Sequence, residues 1–327
     1  MNNTASAIAL ALLAAVAARA ENSISVTDRT DLRSQIFDDS SGRQSNNQFD
    51  IQYLRVDFKG NVTDDMKYRL RVRLDKTTVK DGLKGVSDFV SYAYVEPKFS
   101  DVLSVRVGKV WTYQAGWEED NSSADVYLFS GIDDVAEEYA LGVNPTLTFG
   151  KQKIQLVVTN SDVAYASDPK SSRFFRYGAA YQGDISGFQP MLSLAMMPET
   201  GWSKGTLIAA AGLKVDPAPL GGELDVEYAK DNTGSDDEDL LTFAGTVRYR
   251  SGAFGPQLKL FYDTYTSGSE TTKNVFGIAP AIEYFPWTDH DFRIHLAYTG
   301  KNTSPKHGSS TYDQQVFLGV KGSWSMK

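Results

Sequence analysis

Residues 66–74 read Met66-Lys67-Tyr68-Arg69-Leu70-Arg71-Val72-Arg73-Leu74 and alternate without error. Tyr68, Leu70, Val72 and Leu74 fall on one face, while Lys67, Arg69, Arg71 and Arg73 fall on the other. A period of two sustained over this length is a β-strand with one apolar and one polar face. The same period recurs in Leu224-Asp225-Val226-Glu227-Tyr228, in Leu258-Lys259-Leu260 and in Phe292-Arg293-Ile294-His295-Leu296, and more loosely from Val316 to Trp324. No stretch alternates at helical spacing with comparable quality, so the chain is read as all-β.

The joints between these stretches come in two kinds. Short, turn-rich ones stand at Asn61–Asp65, Lys98–Asp101, Gly150–Gln152, Asp184–Gly187, Pro217–Gly221, Gly252–Gly255 and Pro286–Asp289. Longer polar ones fall at 37–48, 77–87, 112–134, 164–171, 199–205, 232–238, 267–273 and 302–311. Long and short alternate along the whole chain, so eight long and seven short joints imply sixteen strands with both termini at the short-turn end. Strands of about 10–14 residues suit a tilted crossing of a bilayer better than the five or six usual in soluble sheets. An even strand number with short turns at one end and longer loops at the other is the pattern of an outer-membrane barrel. Only a closed barrel lets sheet backbone cross lipid, because every N–H and C=O must then be paired within the protein. Aromatic residues expected at the two membrane interfaces are Phe58, Phe99, Trp111, Phe149, Phe188, Trp202, Phe254, Phe285, Trp287 and Trp324.

Composition fits this reading once the alternation is known. The 327 residues contain no cysteine and three histidines, which leaves no disulfide framework, no thiolate chemistry and little material for a metal centre. The net charge of −8 invites no nucleic acid. Mean hydropathy is −0.33, as a wall with one wet and one lipid-facing side produces. Residues 5–18 are almost all small or apolar and end in Ala18-Arg19-Ala20, an A-x-A cleavage pattern. At about 14 residues this core is too short to span a bilayer and reads as a signal peptide over residues 1–20, although Met1-Asn2-Asn3-Thr4 carries no basic side chain. The barrel domain is then 21–327, exported through the periplasm, with 32 lysines and arginines against 41 acids.

For a pore the relevant chemistry is the charge on its wall. With the apolar face of each strand toward lipid, strands one to five point Arg29, Arg33, Arg55, Lys59, Lys67, Arg69, Arg71, Arg73 and Arg106 into the lumen, interrupted by Asp31 and Asp57. The longest joint, 112–134, is acidic: Glu118, Glu119, Asp120, Asp125, Asp133 and Asp134, running on into Glu137 and Glu138. Strand eleven turns Glu223, Asp225 and Glu227 inward. The acidic run Asn232–Asp239 at the external rim is read as a solvated tip, with a divalent cation bridging to lipopolysaccharide phosphates as its alternative; Lys301, Lys306 and His307 are further candidates for those phosphates. His290, His295 and His307 have no neighbours in sequence that argue activation and are read as solvated polar residues, so no catalytic site and no cofactor is expected.

Over essentially its whole mature length the chain resembles a Gram-negative porin. Phe49 to Leu74 resembles the first hairpin of the phosphate-selective porin O/P group, and Ala93-Tyr94-Val95-Glu96 followed by Leu103-Ser104-Val105-Arg106-Val107-Gly108-Lys109 resembles the next. The resemblance implies a homotrimer of 16-stranded antiparallel transmembrane barrels in the outer membrane, each with its third external loop folded into the pore. It departs from those barrels at the end Trp324-Ser325-Met326-Lys327, where they usually place an aromatic residue. The expected function is passive diffusion of ions and small hydrophilic solutes, with a basic wall facing an acidic constriction loop; its partners are the lipid bilayer and lipopolysaccharide. One alternative is an anion- or phosphate-selective porin. Against a tight anion site stand the acids of strand eleven and of the loop, and the sign of the preference is left open. A scaffold barrel whose lumen is filled by a partner protein is the alternative from a different class.

Overall fold

The computed structural model describes residues 22–39, 42–75, 89–112, 115–135, 138–160, 175–198, 205–216, 219–231, 238–287 and 290–326. The signal segment 1–20, the long joints 77–87 and 164–171, Trp202 and most of the rim cluster at 232–238 lie outside the described residues.

Sixteen strands close into one antiparallel barrel in which each strand pairs with its neighbours in the chain and β1 pairs with β16. The first eight are β1 (Asn22–Asp39), β2 (Gly42–Thr63), β3 (Met66–Arg73), β4 (Val90–Pro97), β5 (Leu103–Trp111), β6 (Tyr139–Phe149), β7 (Gln152–Asn160) and β8 (Phe175–Gln182). The second eight are β9 (Phe188–Pro198), β10 (Gly205–Val215), β11 (Leu220–Asp231), β12 (Glu238–Tyr249), β13 (Phe254–Ser267), β14 (Glu270–Tyr284), β15 (Asp291–Pro305) and β16 (Thr311–Met326). A four-residue helix, α1 (Trp117–Asp120), sits in the joint between β5 and β6. Closure is long: the β1–β16 register runs from Ile24 opposite Met326 to Phe37 opposite Asp313. Strand number and antiparallel order are as the sequence predicts.

The wall is inside out relative to a soluble protein. On β11, Leu224 is 66% exposed while the adjacent Asp225 is 3% exposed, and Glu223 and Glu227 are buried with it. On β9, Leu192, Leu194 and Met196 are exposed between buried Met191, Ser193, Ala195 and Met197. Apolar side chains outside and acids inside make sense only when the outer solvent is hydrocarbon. No helix among the described residues is long and apolar enough to cross a membrane; the strands do it.

Three joints differ from expectation. Residues 37–48 are strand on both sides of positions 40–41, so β1 and β2 reach 18 and 22 residues. Joint 267–273 shrinks to Gly268–Ser269, and 302–311 to residues 306–310. Polar side chains there mimic a loop, but polarity does not prevent strand pairing, and the ladder continues past them, in β15 as far as Pro305. Two expected interface aromatics also differ. Trp111 and Phe285 are buried inside the barrel, whereas Phe99, Phe149, Phe188, Phe254, Trp287 and Trp324 are exposed around the short-turn end. Position within the two-residue alternation, not nearness to a strand end, decides which way a ring faces.

Candidate functional site

The third long joint folds into the barrel and is strapped along one half of its wall. Each strap pairs a loop backbone or side-chain group with a side chain or carbonyl of the strands. At its start, the N–H of Gly116 donates to Glu227 Oε1 at 2.5 Å, and those of Trp117 and Glu118 donate to the two oxygens of Asp225 at 2.8 and 3.1 Å. These are the donors that the first turn of a helix leaves without partners, and carboxylates are their natural acceptors. Trp117 Nε1 donates to the carbonyl of Gln189 on β9, and Asn121 donates to Glu223. Further on, Gly131 N–H donates to Asp263 of β13, Tyr127 donates to Glu283 of β14, and Arg29 of β1 donates to the carbonyl of Val126. Apolar contacts add to the strap: Ala115 and Ile132 are buried among Met197, Ile208, Ala229 and Leu240. Full burial of an isoleucine is worth roughly 2 kcal/mol.

The loop acids find their cations on this same half. Glu118, buried, pairs with Lys259 of β13 at 2.7 Å and accepts from Ser130 N–H. Asp125 lies 2.6 Å from both Arg293 of β15 and Lys321 of β16. Those two cations hold the Asp125 carboxyl down to about 2 against the cost of its burial. Asp120 and Asp134 are exposed, and Glu119 and Asp133 are half-buried.

The basic face of strands one to five pairs mainly with its own wall. The register sets Asp57 of β2 opposite Arg71 of β3. Asp57 takes Arg69 in two hydrogen bonds of 2.9 and 2.6 Å and Arg71 in two of 3.1 and 2.9 Å, with Lys59 at 3.7 Å. Tyr92 lies beneath both guanidiniums, 4.3 and 4.8 Å from its ring centre. Arg29 pairs with Asp31, Arg33 with Asp50, Arg73 with Asp75 and Arg106 with Glu96. Lys67 is exposed beside Glu96 at the short-turn mouth. Arg55 differs: it donates to Tyr53 Oη at 2.9 Å and reaches Thr27 Oγ1 at 3.4 Å, and it has no carboxylate partner among the described residues. The arginines of strands one to five are thus paired mainly within their own wall, across strands or two residues along the chain. A diagonal neighbour on the adjacent strand is closer than anything a loop can bring.

What the two sides do share is a space. A cavity of about 290 Å³ lies between them, with Arg55, Arg69, Arg71, Tyr53 and Tyr92 on the wall and Glu119, Asp120, Asn121 and Glu138 on the loop side. Toward the short-turn end a second cavity of about 330 Å³ is lined by Lys67, Lys98, Arg106 and Lys153 interspersed with Asp64, Asp65, Glu96 and Asp101. A third, of about 600 Å³, lies under the loop among Asp125, Arg248, Arg250, Glu283, Arg293 and Lys321. The loop thus fills the β8–β16 side, and the basic strands border the space that remains.

Sequence reasoning missed Lys259, Arg293 and Lys321 as the loop's anchors and Asp50, Asp75 and Glu96 as partners of the basic wall. All but Asp75, which follows the end of β3, stand on strands, but which residues meet depends on pairing that periodicity does not carry. His295 is not solvated. It is buried, with Nε2 2.7 Å from Asp31 Oδ1, in a network with Arg29 and with Tyr127 of the loop.

Residues 27–173 match the family model of phosphate-selective porin O and P. The matched part, a little under half of the chain, is similar to outer-membrane porins of the O/P type. The fold of this porin is shared by solved structures of low identity. An anion-selective porin from Comamonas acidovorans superposes with a TM-score of 0.69 at 12% identity, covering 94% of this chain and 100% of that one. The outer-membrane channel DcaP of Acinetobacter baumannii gives 0.67 at 14%, covering 94% and 98%. OmpT of Vibrio cholerae in its trimer form gives 0.62 at 11%, covering 93% and 99%. No curated protein matches. The porin is a channel of the outer membrane and not an enzyme.

Proposed function

We propose that this porin passes ions and small hydrophilic solutes by passive diffusion past the β2–β6 wall, with a weak preference for anions. The observation that carries the reading is the cavity with Arg55, Arg69 and Arg71 on one side and the loop carboxylates on the other. The two sides are unequal at neutral pH. Burial, followed by the charges of Glu138, Glu118 and Asp134, raises the Asp133 carboxyl to about 6, against an opposing pull from Lys259. Burial and the neighbouring charges of Asp133, Glu118, Glu227 and Glu138 raise Glu119 further above the ordinary range. As pH falls toward 6 these carboxylates take up protons and leave the arginine side in growing excess. The preference is weak because the forks of Arg69 and Arg71 are spent on Asp57, and a fork already satisfied adds little to a tight phosphate site.

The supporting resemblances extend this reading to a homotrimer in contact with lipopolysaccharide, matured by removal of residues 1–20. Reversal potentials in a KCl gradient across a planar bilayer test the selectivity. We expect a chloride preference that grows as pH falls through about 6, since protonated carboxylates no longer offset the arginines. The triple variant Arg55→Gln, Arg69→Gln, Arg71→Gln is expected to lower the anion-to-cation permeability ratio about three-fold, the scale of a few screened charges within a nanometre of the ion path. A potassium preference at pH 7, or a preference that weakens on acidification, overturns the reading.

A further inference from the structure

The two sides of the narrow cavity leave one cation and one acidic cluster incompletely satisfied. On the wall, Arg55 has no carboxylate partner among the described residues, and its Nε lacks any hydrogen-bond partner. On the loop, carboxylate oxygens of Glu119, Asp133 and Glu138 all lie within 4.8 Å of one another. Glu119 Oε1 is buried without a partner, and so is Oε2 of the adjoining Glu118, whose side chain is 2% exposed. Three carboxylates at that spacing repel one another unless something positive or a proton stands among them. Arg55 on one side of the cavity and Glu119 and Glu138, the two members of the cluster that line it, on the other are complementary to a solute that carries both charges.

We propose that this cavity binds small zwitterions of the α-amino-acid class, with the solute carboxylate on Arg55 and its ammonium between Glu119 and Glu138, which line the cavity with Asp133 adjoining them. The inference rests on the channel reading above and deepens it by naming a solute class. An ammonium group offers three donors, enough for both cavity-lining carboxylates and a water, while a guanidinium with free donors suits a carboxylate. A cavity of about 290 Å³ has room for roughly ten waters, so a small amino acid fits with part of its hydration. A solute with only an anionic end leaves the acid cluster unmet, and one with only a cationic end leaves Arg55 unmet. Single-charge analogues of equal size are therefore bound less well.

Binding of the ammonium competes with protons at the cluster. The groups that face it are Glu118 and Asp134 of the loop, Glu227 of β11 and Lys259 of β13. The acids among them favour the proton and the lysine opposes it, so zwitterion binding weakens on acidification, where chloride preference strengthens. The two readings thus move in opposite directions with pH.

The test is titration of the open-channel KCl current in planar bilayers with alanine, N-acetylalanine and alaninamide at pH 7.5. Alanine is expected to reduce the current in the millimolar range, at a concentration at least about ten-fold below either single-charge analogue, which is the loss of one charge-assisted hydrogen-bonded end. Arg55→Gln is expected to abolish the advantage of alanine over alaninamide, and Glu119→Gln its advantage over N-acetylalanine. The folding of each variant is read independently from its β-sheet circular dichroism. Equal action of all three solutes overturns the proposal, and so does action of N-acetylalanine alone. A current that responds to Ca²⁺ through Glu119 but not to alanine assigns the cluster to a metal and also overturns it. Absence of any KCl conductance is a different result and strikes the channel reading itself.

Discussion

At the scale of single residues, Asp57 decides how the basic wall behaves. Its side chain is 1% exposed and receives four hydrogen bonds from two arginines, so it both stabilises the wall and masks its charge. Asp57→Asn is expected to lower stability by about 1–3 kcal/mol, because two guanidiniums lose a charged acceptor. The same change is expected to raise the anion-to-cation permeability ratio, opposite in sign to the arginine replacements. Urea unfolding in detergent and reversal potentials read the two effects; an unchanged reversal potential places Asp57 and its arginines off the ion path. Asp125 behaves differently with pH. Its folded carboxyl is depressed to about 2, so its contribution to loop docking is complete above the ordinary carboxylate range and is lost only as pH falls through about 2. Acid effects between pH 7 and 5 are therefore expected from Asp133 rather than from this anchor.

At the scale of elements, the loop is held by close approach as much as by charge. A Cβ on Gly131 would fall on Tyr265 Oη and 3.0 Å from Asp263 Oδ2, and one on Gly212 of β10 would meet Asp225 and, at 2.8 Å, the indole of Trp117. These glycines let the loop backbone reach the wall carboxylates. Gly131→Val is expected to cost about 1–3 kcal/mol of docking, as overpacked sites do, and to push the loop toward the open side. Single-channel records should then show smaller conductance or more frequent closures; a wild-type trace means the loop accommodates the side chain without leaving the wall. The hairpins teach a related lesson about length. β1 and β2 read as strand only to the point where polar residues begin, yet the ladder carries on for several residues more. Hydrogen bonding between strands does not stop where lipid contact stops.

At the scale of the whole molecule, the net charge of −8 describes an average that no solute meets. Acids of β11 and of the loop serve the strap, cations of β13, β15 and β16 hold it, and the arginines of β2 and β3 border the open side. Native mass spectrometry of the protein extracted from outer membranes is expected to give three copies of a chain beginning at Glu21. A monomer, or a chain retaining residues 1–20, contradicts the trimeric or the processing part of the proposal respectively.

Much of this architecture was legible in residues 66–74 and in the rhythm of the joints. Period two states which residues face water, and lipid requires that every strand find two neighbours, so alternation plus strand count leaves little choice but a closed sixteen-stranded wall. The acidity of 112–134 was equally plain in the sequence. Which acid meets which cation was not. Asp125 and Lys321 are separated by 196 positions, and Arg71 meets Asp57 rather than a loop acid because the β2–β3 register sets them opposite each other. Local pattern determines the face a side chain takes, because that follows from the chain's own geometry. Its partner across the lumen is a property of closure, and only the tertiary structure decides it.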